Sequence, residues 1–476
     1  MADDYVESLL ATAAINVANG APPFSHVKLS RDMIAWIASN VSALRALPGY
    51  TASTDDRNAL DLRESILDFE DLEGIQLPTA DLEGAFVQFA NLRGAFLGDV
   101  RLIQADLEET NLENADLYRA VLDGSFFGRA SLRRASLLDA QGVNVLMAGV
   151  DLREAMVIQA ELVNVVMRKA HLSGAKFDGS NLDGGDFQEA DFKHASLRRA
   201  QLHDANCTKA DFSGADLSFA DLAGSNLENA IFDVHTNFSK TNLQDTRLRG
   251  VQWGDADLSF VEWSAIRELR DETEAKKAPI NNRPQRYREA SEAYVKLSAA
   301  LRNSGLTATS VDYHYRAALM TQRALQFEFI SRLLFLAPSA DARTETAPDS
   351  RGGCGIFCRL GRFVTSPVYL IRWLLWAVFG FSVGYGDKPF RAILVYVGTI
   401  VFFMVTYLLM SGHVGRALDW QESFVLSMVS FHGRGFSSTD LHLVDPLAMV
   451  SAFEAATGTM EELLFITAFV RRFIGA

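Results

Sequence analysis

A bulky apolar residue returns at every fifth position through the middle of the chain, at Leu62, Leu67, Leu72, Leu77, Leu82, Val87, Leu92 and Leu97. The same phase continues at Leu102, Leu107, Leu112, Leu117, Leu122 and Phe127, and runs again from Phe177 to Phe232. A small residue stands two positions earlier, as at Ala80, Ala90, Ala105, Ala190 and Ala220, and the residue between is often Asp or Asn, as at Asp81, Asn91, Asp106 and Asn181. Neither a helix, with about 3.6 residues per turn, nor a strand, with a period of two, makes such a pattern. A square coil does. Each five-residue side turns one large and one small side chain inward and three outward, and stacked coils hydrogen-bond at strand spacing, about 4.8 Å. The phase slips by one residue around Val234–Thr236 and resumes at Phe238, Leu243, Leu248, Trp253 and Leu258. Gly142 occupies a large position within Gln141–Leu146, which predicts a distorted coil there.

These residues resemble the pentapeptide-repeat family, with its pattern A(D/N)LxX, over about 200 residues. The resemblance implies a right-handed quadrilateral β-helix spanning 58–265, four repeats to a coil, about ten coils and about 50 Å long. Its Leu, Phe and Ala ladders are core, so no catalytic residue is expected in the rod. The surface is acidic: 61–265 holds about 34 Asp and Glu against about 18 Lys and Arg, in a chain of net charge −14. Such a balance argues against nucleic acid as a partner. It leaves a solvated face, or a surface for a protein partner. Some members of the family act as acidic mimics of DNA on topoisomerase, and that reading stands as an alternative.

A chain of 476 residues exceeds one ordinary core, so several domains are expected. Residues 1–57 read as an N-terminal cap of two or three short helices, broken at Gly20–Pro23. The start lacks a basic stretch followed by an apolar run, so no signal peptide is expected. Cys207, Cys354 and Cys358 make neither a disulfide framework nor metal-ligand spacing, and no cofactor is expected. With no phosphate loop or nucleophile elbow, an enzyme is not expected either. Residues 266–335 form a helical connector: a charged helix at Ile266–Lys277, then Tyr287–Leu301, a break at Gly305, Thr307–Ser310 as N-cap candidates, and a helix from Val311 to Phe335. This run resembles a single tetratricopeptide-type hairpin. Residues 336–353, rich in Ala, Pro, Ser, Thr and Asp, read as a flexible linker.

Ala392–Met410 carries no charge over about 19 residues, the length of a bilayer's hydrocarbon core, and predicts a transmembrane helix. A second apolar stretch runs over 444–470 and ends in Arg471–Arg472. Arg351, Arg359, Arg362 and Arg372 precede the first span, so both basic ends are expected in the cytoplasm, together with the rod, at a bacterial inner membrane. Residues 363–381, within 354–390, hold Arg372 at their centre and read as an interfacial helix followed by a turn. Asp419–Asp440 lies between the spans and is too polar at its end to cross, which suits a re-entrant pore loop.

This module, 391–476, resembles the all-α two-transmembrane pore of potassium channels. The resemblance implies a homotetramer in a lipid bilayer and a permeant ion. Ser427, Ser430 and Phe431 match the pore helix, and Gly435–Phe436 the central Gly-aromatic pair of the filter. The departures are His432 and Gly433 for two threonines, Arg434 for a small apolar residue, and Ser437 for the second glycine. They predict a filter that is not an ordinary K⁺ filter. Ser382–Pro389, SVGYGDKP, spells a closer filter, but no full span precedes it, and it reads as a turn. In the second span Glu454, Gly458, Glu461 and Glu462 share one helical face. Acids in a span usually face water or the bundle interior, so these residues line a pore, or Glu461 and Glu462 pair with Arg434 or the terminal arginines or lie near the interface.

Overall fold

The computed structural model describes residues 3–50, 60–334, 389–411, 419–432 and 450–459, with Glu462 and Ile466. The linker 336–353, the interfacial helix and nearly all of its turn (through 388), and Gly433, Arg434, Gly435, Phe436, Ser437 and Glu461 lie outside the described residues. The chain forms two compact units, Met1–Thr273 with Ala299–Thr307, and Glu274–Ser298 with Ala308–Ala476.

The first unit is built on the five-residue period. The residue before each large position pairs in parallel with its equivalent twenty residues on, as Asp61 with Asp81, Ile66 with Phe86 and Asp71 with Asn91. Four sides of five residues therefore make one coil. Between coils Leu82 N donates to Arg101 O at 2.8 Å and Arg101 N to Ala80 O at 2.9 Å, and this pairing repeats along the stack. The inward residues are sealed: Leu62, Leu102, Phe127, Leu162, Phe187 and Phe212 are fully buried, as are the alanines between them.

The corner of each side explains two sequence preferences. Leu62 O accepts from Ser65 N at 3.2 Å, closing a four-residue turn, and Glu64 at its third place has φ of 56°. A left-handed residue there is the mark of a type II turn, which is why glycine recurs at this place, as at Gly74 and Gly84. Asp or Asn before the large residue accepts from the backbone two residues on: Asp81 Oδ1 from Glu83 N at 3.1 Å, Asn111 Oδ1 from Glu113 N at 3.1 Å. The side chain thus holds the corner that its own backbone must turn. Buried hydroxyls at small positions bond to carbonyls of the preceding coil, as Thr110 Oγ1 to Val87 O and Thr241 Oγ1 to Leu217 O, or of their own side, as Ser65 Oγ to Leu62 O and Ser125 Oγ to Leu122 O.

The phase slip is a one-residue bulge. Asp211 pairs with Ile231, twenty on, but Asp216 pairs with Asn237, twenty-one on, and the new register holds to Ile231 with Gln252. Val234 is pushed outward to 60 % exposure. Asp233 Oδ1 gathers the bulge by accepting from Gly214 N, His235 N and Thr236 Oγ1.

At Gly142 the coil keeps its register but changes its corner, a bend at Asn144 standing where the neighbouring sides close a hydrogen-bonded turn. β1 (Gln141–Val143) pairs in register with β2 (Glu161–Val163), and Val121 still pairs with Gln141. The reason is an exchange of volume. Val145 takes the small position and fills the space that Gly142 leaves, so a Cβ on Gly142 would stand 2.5 Å from Val145 Cγ2.

Both ends of the stack are covered, which removes the open strand edges that invite pairing with other chains. At the first coil, past α1 (Asp3–Ala18) and ahead of α2 (Arg31–Ser39) and α3 (Val41–Arg45), the extended segment 26–29 adds a rung: His26 N donates to Glu64 O, Ile66 N to Val27 O and Leu29 N to Ile66 O. At the last coil, Trp263 of a 3₁₀ turn (Trp263–Ala265) is buried and donates through Nε1 to Leu258 O at 2.9 Å. The charged helix begins at Arg270 and not at Ile266, because Ile266 and Leu269 are buried and extended against the coil end. It is α4 (Arg270–Lys277). Its Asp271 Oδ2 accepts from Leu248 N at 2.8 Å. Ser304 closes the edge further, accepting from Leu258 N at 3.1 Å.

α5 (Arg283–Asn303) starts four residues before Tyr287 and runs two past Leu301, up to the break expected at Gly305. Gly305, φ +80°, sends its N–H to Arg302 O and Leu306 N–H to Leu301 O, the paired bonds of a Schellman cap. α6 (Thr307–Leu334) starts four residues before Val311, because Thr307–Ser310 form its first turn instead of capping it. Within the second unit the hairpin is joined by Ser291 Oγ to Ala317 O at 2.8 Å and by Ser310 Oγ to Ser298 O at 2.7 Å.

Further along the second unit stand α7 (Pro389–Ser411), α8 (Trp420–Phe431) and α9 (450–459). α7 has 23 residues, about 35 Å of helix. Its side chains are described from Tyr396 to Met410, and among the described residues no helix is long and apolar enough to cross a membrane. α8 opens on a capping box: Asp419 Oδ1 accepts from Glu422 N at 2.7 Å and Glu422 Oε2 from Asp419 N at 3.3 Å.

Candidate functional site

Three arrangements exceed what the fold requires, two on the rod and one on the second unit. On the rod, His203 bridges three consecutive coils. Its Nδ1 lies 2.8 Å from Asp183 Oδ1 and its Nε2 3.0 Å from Asp221 Oδ2. Partial burial works against the charged ring, but the two carboxylates outweigh it, and its pKa rises above the ordinary 6.5. A raised folded-state value means the bridge stabilises fully below about 6.5 and fades as pH climbs through the raised value. Hydrogen exchange of coils 183–221, corrected for its intrinsic pH dependence, is expected to quicken as pH rises above about 6.5, by no more than about 1 kcal/mol of opening free energy, the scale of exposed pairs. His203→Gln should flatten that dependence; equal pH dependence in both proteins would refute it.

The same rod carries a stripe of exposed aromatic and apolar residues near its first coils. Phe69 and Phe89 stack at 4.9 Å and are 70 % and 44 % exposed, and Phe86, Phe126 and Leu146 follow on the same side. The stripe has no signal in the five-residue period, which assigns these places to the outside whatever residue fills them.

On the second unit α7, α8 and α9 enclose a carboxylate. α8 turns Ser423, Leu426, Ser427, Ser430 and Phe431 inward, the spacing of one helical face, and leaves Phe424, Val425, Met428 and Val429 exposed. Its polarity is therefore inverted in part, with its three serines inside beside Leu426 and Phe431 and four large apolar side chains outside. α7 buries Ile400, Phe403 and Tyr407 and exposes Val397, Val401, Phe402, Val405 and Leu409, so its described faces are apolar. The two helices pack antiparallel, Tyr396 meeting Phe431 and Ser427 Oγ lying 2.9 Å from Ile400 O.

Of the residues singled out for a filter or pore, Ser430, Phe431, His432, Glu454, Gly458 and Glu462 fall among the described residues. Glu454 is fully buried, with Oε2 accepting from Tyr407 Oη at 2.7 Å and the other oxygen accepting from Ser427 Oγ. Ser430 Oγ lies 2.8 Å from Ser451 Oγ. Gly458 presses on the end of α8, where a Cβ would stand 2.0 Å from the Phe431 carbonyl oxygen. His432 ends α8, its Nδ1 donating to Met428 O at 2.8 Å. That leaves Nε2 to accept from Tyr396 Oη at 2.9 Å, with Glu462 Oε1 3.7 Å away. Tyr396 and Tyr407 had no sequence signal, since both sit in an uncharged apolar run. Among the described residues no group of His, Cys, Asp and Glu is placed to hold a metal ion. Cys207 is buried in the rod, and burial pushes its thiol pKa up, away from reactivity.

Comparison with known proteins bears on the rod. HetL, a pentapeptide repeat protein involved in heterocyst differentiation regulation in the cyanobacterium Nostoc, is 24 % identical over 47 % of this chain and 96 % of its own, with a TM-score of 0.23. QnrB1, a plasmid-mediated fluoroquinolone resistance protein, is 16 % identical over 40 % of this chain and 88 % of its own, with a TM-score of 0.22. A pentapeptide repeat protein of the Arabidopsis thaliana thylakoid lumen is 26 % identical over 23 % of this chain and 67 % of its own, with a TM-score of 0.11. No curated protein matches the chain. The family model for pentapeptide repeats matches in 8 copies, over residues 97–134, 147–184, 181–218, 195–233 and 210–251. Those segments are the coils whose twenty-residue ladder and sealed Leu, Phe and Ala interior are set out above, and over them the chain carries pentapeptide repeats.

Proposed function

We propose that this is a membrane-embedded, ion-channel-like protein whose pore-loop module, 391–476, carries a repeat rod as its interaction and sensing surface. The observation that carries the reading is the inverted polarity of α8. In water a helix hides its apolar side chains, yet here Ser423, Ser427 and Ser430 are inside while Phe424, Val425, Met428 and Val429 face out. Lipid or neighbouring subunits reverse that preference, since hydrocarbon favours apolar surface, and the hydroxyls of Ser427 and Ser430 find partners inside the bundle. The apolar character of the described faces of α7 supports the same environment. The rod is assigned to the cytoplasmic side of a bacterial inner membrane, and four chains to one pore, with Arg434 and Ser437 giving a filter that is not K⁺-selective.

The full chain, expressed with a tag, is expected to stay in the membrane fraction through an alkaline carbonate wash and to carry current in planar bilayers. Release by carbonate would overturn the membrane reading. Retention without current in varied salts would leave a membrane-anchored scaffold, a second reading favoured by the exposed Phe69–Phe89 stack on the rod.

A further inference from the structure

Resting on the pore-loop reading, we infer that Glu454 is a positioning residue, a buried latch that holds α9 to α7 and α8 and so sets the pose of His432, where the loop begins. Pore lining needs a carboxylate that water can reach. Glu454 has no exposed surface within a single chain, so no path running along the outside of the chain touches it, whatever number of copies assemble. Its two oxygens are instead divided between two helices, Tyr407 of α7 donating to one and Ser427 of α8 to the other. One turn on, Gly458 brings the α9 backbone against the Phe431 carbonyl, at a distance that leaves no room for a methyl group. Phe431 is itself fully buried against the Tyr396 ring, and His432 follows it directly. A shift of α9 must therefore either drag the end of α8 with it or separate a buried carboxylate from both hydroxyls. The second course is costly, because a carboxylate left without donors in an apolar surround has lost its hydration and gained nothing. Movement of α9 and movement of the loop start are thereby coupled through one side chain.

The test uses the full chain in detergent and in bilayers, with Glu454→Gln, Tyr407→Phe, and the two combined. Amide exchange over 420–432 is expected to quicken at least about tenfold in each single variant, with the double variant no faster than the faster single one. In bilayers the fraction of time open should change while unitary conductance and reversal potential stay as in the wild type. Unchanged exchange in both single variants, or additive effects in the double, would overturn the latch. So would a Glu454→Gln channel with altered unitary conductance and normal exchange, which is the behaviour of a lining residue. If Glu454→Gln does not fold, Tyr407→Phe paired with Ser427→Ala carries the same exchange test. Absence of current from the wild type would count against the pore-loop reading alone, since exchange reads the latch without it.

Discussion

Truncation of Phe212 to alanine is expected to destabilise the rod by about 3–5 kcal/mol, the range for removing a buried aromatic ring. Phe212 is the second ring in a column along the rod axis: Phe192, Phe212, Phe232 and Trp253 stack at 4.8, 5.4 and 5.5 Å, with ring planes within 20°. All are at inward large positions of successive coils, and Phe212 is fully buried. Its loss leaves a cavity that the flanking coils cannot close, because their spacing is held by backbone bonds on every side, such as Phe212 N to Ile231 O at 2.8 Å. Each coil of a solenoid contacts only its neighbours, so the damage should be local. Hydrogen exchange should rise over about 190–235 and much less near the first coils, alongside a lower urea midpoint. A uniform rise along the rod would show that the coils do not behave as a one-dimensional stack.

Gly458→Ala should be the most damaging small substitution in the helical unit. The added Cβ would lie 2.0 Å from the Phe431 carbonyl oxygen and 2.9 Å from the base of the Phe431 ring. Backbone cannot swing aside as a side-chain tip can, so α9 must move away from α8, and overpacking of this kind costs about 1–3 kcal/mol or more. The movement would also strain both hydroxyl contacts to Glu454. A fall in the detergent melting temperature, with faster exchange over 420–432, is the expected result. Gly398, with nothing within 4 Å of its Cβ direction, provides the control, and Gly398→Ala should leave both unchanged. Equal effects of the two would mean that Gly458 is not packed as the geometry has it.

The rod was legible because its constraint repeats locally. Each side must turn a corner, hide one large and one small side chain, and meet the next coil, so every five residues state the same rule, and even the insertion at Val234–Thr236 shows as a broken phase. What a fixed template could not read was compensation between positions. Gly142 looks like a defect until Val145 is seen filling its place. The helix starts at Arg270 and Thr307 shifted from the expected ones for a similar reason: burial of Ile266 and Leu269 against the last coil, and continuation of a helix through threonines that propensity would place at a cap.

In the helical unit, spacing put Glu454 and Gly458 on one face of a helix, but periodicity says nothing about which neighbour that face meets. Packing made the decision. It set Glu454 against Tyr407 and Ser427, and Gly458 against the Phe431 carbonyl, because α7 and α8 brought hydroxyls and a close backbone to that face. The five-residue period alone determined the rod, since a coil's contacts recur at a constant sequence distance. The place of the buried carboxylate depended on helices far apart in the chain meeting side by side, and that only the tertiary structure decides.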